Sequence, residues 1–371
     1  MKSKKHYIIP IFVPHIGCPH NCVFCNQGKI TGQNLKEIAV KSNEEVTAES
    51  TRKTIEEYLE TIDKNDSIIE VSFFGGTFTG IPMEKQRELL AVAKEYKDSK
   101  KIDYIRMSTR PDYINEEILK HLKSYDADII ELGVQSLDNE VLKKSGRGHS
   151  VEDVKLASDL IKKFGFTLGH QIMLGLPGDT FEKDIYTCSE SIKMKPDICR
   201  IYPALVIKDT PMEEMYSRGD YKPYTLNEAV TVCTVLYAMY IENNINVIRI
   251  GLQPTENINY DGDIVDGPFH PAFRELVESK IYNSAINKHI SNLGENIVIR
   301  VNQRDISKVY ANKKQFFYDM IEQNKPKNIK VIGDNSVDRG TILVKDSESD
   351  TKMSIDFYLK EITKEGKKLF S

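Results

Sequence analysis

Apolar residues along the chain fall into short continuous runs that alternate with stretches of helical spacing. Tyr7–Val13, Ile68–Phe74, Ile102–Met107, Ile129–Val134, Thr167–Leu174 and Ile198–Tyr202 read as strands, rich in β-branched and aromatic residues and several of them closed by Gly or Pro. Between them Val46–Asp63, Pro82–Lys97, Asn115–Ser124, Asn139–Lys144, Val151–Phe164 and Phe181–Met194 carry apolar positions three or four apart and predict helices, the first with Thr47 as its cap. Leu226–Asn243 predicts a further helix and Asn244–Ile250 a closing strand. This alternation predicts parallel strands joined by right-handed crossover helices. Six units are too few for an eight-fold barrel, so the expected architecture is α/β, an open, partial (β/α)6 barrel over residues 1–253.

The pattern changes after Gln253. Pro254–Pro271 is a polar loop and Ala272–Ile290 a helix, so residues 254–289 read as a linker and helix. Asn296–Val301, Asn328–Ile332, Thr341–Val344 and Met353–Leu359 predict strands and Ile306–Gln323 a helix, a small C-terminal α/β domain over 290–371. Its β-α-β order around Lys313-Lys314 resembles a KH RNA-binding module, without the GXXG clamp that such a module closes on nucleotide backbone.

At 371 residues the chain can bury a full core. Its net charge of −4 speaks against wrapping a long nucleic acid, although Ile290–Ser371 holds 15 Lys and Arg against 12 Asp and Glu. Six Cys, no signal peptide and no transmembrane run predict a reducing, cytoplasmic setting with no membrane partner.

The candidate chemistry lies where strands end. Cys18, Cys22 and Cys25 stand in C-x3-C-x2-C spacing after the first strand, with Phe24 before the third Cys. Three thiolates on one loop can hold three irons of a [4Fe-4S] cluster and leave the fourth iron open to a small molecule, S-adenosylmethionine (SAM) being the obvious one. A Cys3His zinc site using His15 or His20 is the competing reading. Gly75-Gly76-Thr77 after the second strand could bring backbone close to a ligand's amino group. Arg110 precedes a Pro, Gln135 at a strand tip could bond ribose hydroxyls, and Arg147 in a Gly-flanked turn could hold a carboxylate. Cys188, Cys199 and Cys233 share no loop and read as buried, inert thiols.

Together these motifs resemble the radical SAM superfamily, specifically the radical SAM core of the Elongator catalytic subunit and of coproporphyrinogen-oxidase-like proteins. Cys18-x3-Cys22-x2-Cys25 and Gly75-Gly76-Thr77-Phe78 carry the resemblance first. Thr109-Arg110-Pro111-Asp112, Gly133-Val134-Gln135-Ser136, Arg147-Gly148-His149, Leu174-Gly175-Leu176-Pro177-Gly178 and Ile201-Tyr202-Pro203 follow in the family's order, over about two-thirds of the chain. The resemblance implies a radical SAM barrel in which a reduced [4Fe-4S] cluster cleaves SAM to a 5′-deoxyadenosyl radical. It implies Cys18, Cys22 and Cys25 as metal ligands and Phe24, Gly75, Gly76, Thr77, Ser108, Gln135, Arg147, Gln171 and Leu174 as cofactor contacts. It also implies an external electron donor such as flavodoxin or ferredoxin.

Two positions depart from the pattern: Ser108 and Gln171 stand where relatives carry acidic residues. The 118 residues after Gln253 show no acetyl-CoA signature, so the resemblance implies the radical core without the acetyltransferase domain. Arg110, Tyr202, Lys208 and Arg249 are the candidates for substrate contact, the substrate being unidentified, with tRNA the one that the resemblance suggests. The alternative from another class is a non-catalytic, metal-containing protein that binds RNA or senses.

Overall fold

The computed structural model describes residues 4–13, 20, 22–26, 46–255, 257–290, 293–324, 328–347 and 349–369, with side chains as far as residue 364. Cys18 and His15 lie outside the described residues.

The strands β1 (Lys5–Val13), β2 (Ser67–Gly75), β3 (Tyr104–Thr109), β4 (Ile129–Gln135), β5 (Thr167–Leu174) and β6 (Ile198–Pro203) pair in parallel, in chain order. With β8 (Asn246–Ile250) they form one seven-stranded sheet, a parallel half-barrel. The crossovers carry helices α1 (Ala48–Leu59), α2 (Met83–Asp98), α3 (Glu116–Ser124), α4 (Asn139–Lys144), α5 (Val151–Lys163) and α6 (Phe181–Lys193). The expected α/β half-barrel is therefore present. Local chemistry fixes the helix starts: Thr47, Asn115, Asp138, Ser150 and Thr180 each accept a backbone N–H of the first turn. At α1 the Ser50 hydroxyl accepts the Thr47 N–H in return, which closes a capping box.

By its contacts the chain divides into two compact units, Met1–Pro223 with Gln253–Gly267, and Tyr224–Leu252 with Pro268–Ser371. The first holds β1 to β6 and three elements that the sequence pattern did not predict. Val206–Ile207 (β7) pairs antiparallel with Ile264–Asp266 (β9), which lies inside the segment read as a polar loop, and Pro211–Ser217 forms helix α7. Strands of two or three residues are too short to leave a periodic signal.

In the second unit α8 (Leu226–Glu242), α9 (Phe273–Ile290) and α12 (Ile355–Leu369) pack on one another. A mixed sheet of order β11-β10-β12-β13 comprises Asn328–Gly333, Asn296–Val301, Thr341–Lys345 and Asp350–Ser354. The predicted helix over Ile306–Gln323 is broken into α10 (Ile306–Tyr310) and α11 (Gln315–Gln323), because Asn312, Lys313 and Lys314 all take positive φ. The predicted Met353–Leu359 strand ends at Ser354; from Ile355 the chain is helical, with Ile355 and Leu359, one turn apart, both buried. Among the described residues no helix is long and apolar enough to cross a membrane.

Inside the half-barrel a charged layer interrupts the apolar strands. Arg106 of β3 bonds Glu131 of β4 and, at 2.9 Å, Glu70 of β2. Arg200 of β6 closes a two-armed bridge on Glu131 at 2.7 and 3.1 Å. The amide of Gln171 on β5 adds a bond to Glu131 at 2.7 Å, and His6 of β1 one to Glu70 at 3.1 Å. Gly169 leaves the room: a Cβ there would lie 2.7 Å from the Glu131 side chain. Burial pushes the Glu131 carboxyl upward, but the Arg200 and Arg106 guanidiniums outweigh it and hold it below the usual carboxylate range. Glu131→Gln leaves two buried guanidiniums with one carboxylate. It should cost about 3–5 kcal/mol in urea unfolding, the range for breaking a buried pair. A loss under about 1 kcal/mol would show that the layer is solvated.

On the outer face of the sheet, His170 is wholly buried between Ser191 (2.8 Å) and Ser158 (3.0 Å). Burial, then the charge of Lys162, pushes it from 6.5 down to about 3. A histidine held neutral contributes stability that is fully present above pH 6.5 and is lost as the pH falls from there toward 3. His170→Gln should therefore flatten the fall in stability between about pH 7 and about pH 4.5, read as urea midpoints. An unchanged slope would contradict the assignment.

Candidate functional site

Parallel register lines up the carboxyl ends of the six strands: Val13 beside Gly75, Thr109 beside Leu132, Gln135 beside Ile172, Leu174 beside Pro203. Ligands of open α/β sheets sit outside such ends.

Cys22 is buried and Cys25 half-buried in the loop after β1. Val23 ties that loop down twice, its N–H donating to Ser145 (3.0 Å) and its carbonyl accepting from Met212 (2.9 Å). Phe24 and Cys22 pack in one apolar cluster with Val141, Leu176, Ala204, Val206, Met212 and Tyr221. Leu174 is buried; its carbonyl accepts from Ala204 (2.9 Å), and the Tyr221 hydroxyl donates to Gly175 (2.6 Å).

Arg147 reaches this loop from beyond α4. One guanidinium nitrogen stands 3.5 Å from Cys22 Sγ and another donates to the Gly133 carbonyl at 2.7 Å. A Cβ at Gly133 would fall 2.6 Å from the guanidinium and 3.2 Å from the Gln135 amide, so this glycine leaves a cradle between them. The ring of His20 lies against Gly148, which takes φ +81°. Burial, then the charges of Arg147 and Arg110, pushes His149 down to about 3, which keeps it neutral.

Buried polar atoms at this edge with no hydrogen-bond partner among the described residues include Thr77 Oγ1, Gln135 Oε1 and Arg147 Nε, together with Ser145 Oγ and His149 Nδ1. Gln135 takes the left-handed φ of +65° at the tip of β4, uncommon for a residue with a side chain. A hydroxyl, a carbonyl oxygen and a guanidinium N–H offer both acceptors and a donor. They suit a ligand that carries an ammonium, hydroxyls and a carboxylate together.

Arg110, Gln171, Ser108, Tyr202 and Lys208 have polar neighbours of their own. Arg110 is buried, gripped by Asp112 at 2.9 and 2.8 Å, and donates to the Arg147 carbonyl at 2.8 Å. Gln171 bonds Glu131 and Ser108, the latter at 3.2 Å. The Tyr202 hydroxyl stands 3.5 Å from Arg200. Lys208 donates from its ammonium to Gly262 at 2.8 Å and from its backbone to Asp263 at 2.9 Å. Arg249 lies half-buried on β8, in the second unit. Cys188, Cys199 and Cys233 are buried on α6, β6 and α8. Among the described residues no three His, Cys, Asp or Glu side chains are placed to hold a metal; this leaves Cys18 out of account.

Comparison with known proteins decides the family. Residues 12–187 match the radical SAM superfamily and residues 196–283 the radical SAM C-terminal domain. An uncharacterised protein of Methanocaldococcus jannaschii is 31% identical over 63% of this chain and 72% of its own length. The chain belongs to the radical SAM superfamily.

It is thus a radical SAM enzyme, and the family implies a [4Fe-4S] cluster and SAM. The tRNA uridine(34) acetyltransferase of Methanocaldococcus infernus is 32% identical over 61% of this chain and 48% of its own. The chain spans about half the length of the acetyltransferases it matches. A solved structure described as archaeal Methanocaldococcus infernus Elp3 with an N-terminal deletion superimposes with a TM-score of 0.57 at 26% identity, covering 76% of this chain and 64% of that one. The cysteine loop that carries the resemblance lies in the matched segment, with Cys22 and Cys25 among the described residues.

Sequence reading missed the ionic layer and Asp112. The available signal was a charged residue inside several apolar runs: Glu70, Arg106, Glu131 and Arg200. At Gly75, φ is +112° and a Cβ would lie 2.1 Å from the Val13 carbonyl oxygen, whereas a Cβ at Gly219, φ +77°, meets nothing within 4 Å. Gly75→Ala should therefore cost more than the roughly 1–3 kcal/mol of backbone strain expected of Gly219→Ala. Equal losses in urea unfolding would mean that the ends of β1 and β2 yield freely.

Proposed function

We propose that Cys18, Cys22 and Cys25 hold a [4Fe-4S] cluster whose open iron takes SAM, and that the enzyme acts on RNA, with tRNA as the substrate class. The observation that carries the cofactor reading is that Thr77, Gln135 and Arg147, at the carboxyl ends of the strands and on the connections after them, keep buried polar atoms with no partner among the described residues, with Arg147 also meeting Cys22 in a loop packed by Phe24. When bound, the cluster and SAM supply one-electron cleavage of the sulfonium and a 5′-deoxyadenosyl radical that takes hydrogen from the substrate.

The protein's own part is binding and exclusion. Backbone at Gly75 and Gly76 approaches the ligand closely and Thr77 Oγ1 meets its ammonium. Arg147 Nε meets its carboxylate, and Gln135 Oε1 accepts from ribose hydroxyls. Gln171 and Ser108, neutral where relatives are acidic, face the adenosine. Leu174, Leu176 and Phe24 keep water from Cys22. A flavodoxin or ferredoxin is the reductant. Relatives bearing the name tRNA uridine(34) acetyltransferase support the RNA substrate, and Tyr202, Lys208 and Arg249 are its candidate contacts. Arg110, clamped by Asp112, holds Arg147 in place.

Anaerobically purified and reconstituted protein should carry about four irons and four sulfides per chain. It should release 5′-deoxyadenosine with dithionite and SAM, faster when total tRNA is present, and Cys22→Ala should do neither. Stoichiometric zinc without sulfide would overturn the cofactor reading. A rate of release indifferent to tRNA would overturn the substrate reading alone.

A further inference from the structure

Arg147 is placed by more than its own contacts. Its carbonyl accepts from Arg110 at 2.8 Å, and both arms of the Asp112 carboxylate hold Arg110. Its guanidinium is braced on the Gly133 carbonyl and meets Cys22 Sγ at 3.5 Å. Arg110 and Arg147 are buried, at 2% and 7% exposure, so water screens their charges little. His149, which burial and the charges of Arg147 and Arg110 keep neutral, bonds the Val134 carbonyl at 3.3 Å. The charges here are one carboxylate and two guanidiniums, a net +1, of which the Arg147 guanidinium meets the Cys22 sulfur.

We propose that Arg147, its guanidinium braced on the Gly133 carbonyl, is a fixed cationic hydrogen-bond donor to the sulfur of Cys22, and that this contact, with the net charge of Arg147, Arg110 and Asp112, sets the reduction potential of the cluster. The inference rests on the cluster reading above and adds a role distinct from binding the SAM carboxylate. A cluster held by three thiolates becomes more negative when it gains one electron. A buried cation and an N–H bond on a ligand sulfur favour that reduced form and raise the potential. Asp112 opposes this charge and tempers the effect.

The signs follow. Arg147→Gln removes the cation and should move the midpoint potential down. Arg147→Lys keeps the charge without the forked geometry and should fall between Arg147→Gln and the parent. Asp112→Asn leaves Arg110 uncompensated and should move the potential up. All are measured without SAM, by electron paramagnetic resonance during a dithionite titration of reconstituted protein, beside iron and sulfide analysis. If Arg147 serves only the SAM carboxylate, SAM affinity falls in Arg147→Gln while the SAM-free potential stays put, and the proposal is wrong. A downward shift in Asp112→Asn would also overturn it. If Arg147→Gln does not take up a cluster, the Arg147→Lys and Asp112→Asn potentials decide alone. Absence of iron and sulfide from the parent protein would instead sink the cluster reading on which the inference stands.

Discussion

The half-barrel of the first unit is organised around four charges that its strands enclose. Glu70, Arg106, Glu131 and Arg200 are all nearly free of solvent and alternate in sign from β2 to β6. Each would be costly alone, since removing an ion from water costs several kcal/mol even after relaxation. Two carboxylates against two guanidiniums, with Gln171 and His6 taking further bonds, leave each charge compensated. Because these bonds join strand to strand, they also constrain register: a slip of one residue would turn these side chains toward the outer face. The register that they help to hold is the one that aligns the strand ends.

That alignment makes the site. Gly75, Gln135 and Leu174 end their strands, Thr77 sits just beyond β2, and Arg147 stands in the turn between α4 and α5. Thr77, Gln135 and Arg147 keep buried polar atoms there that have no partner among the described residues. The left-handed φ of Gln135 belongs to the same account, because strain held at a strand tip aims a side chain that relaxed backbone would turn elsewhere. The two non-acidic departures have a related origin: Gln171 and Ser108 bond each other, and Gln171 reaches down to Glu131, which joins this part of the edge to the charged layer.

The second unit carries its own irregularity. Asn312, Lys313 and Lys314 turn left-handed in succession between α10 and α11, and the Lys314 ammonium comes over the Tyr310 ring at 4.7 Å. Helical periodicity runs straight through this segment, because apolar spacing reports which side chains are buried and is silent about φ.

The alternation of strands and helices, the half-barrel class and the cysteine loop were legible in the sequence, because they rest on periodicity and local spacing. Each of the first six strands was found within about three residues at either end, as boundaries defined by fraying hydrogen bonds allow. Tertiary structure alone decided what the charged residues do. Arg110 looked like a residue free to meet a substrate and is a buried brace on Arg147. Arg147 looked like a carboxylate binder and also touches Cys22, 125 positions away. Glu131, unremarked in the sequence, is the centre of the charged layer. A guanidinium has the same letter in the chain whether it lies in water or against a thiol. Its partner is set by which strand ends the parallel register brings together, and that information is spread over the whole sheet.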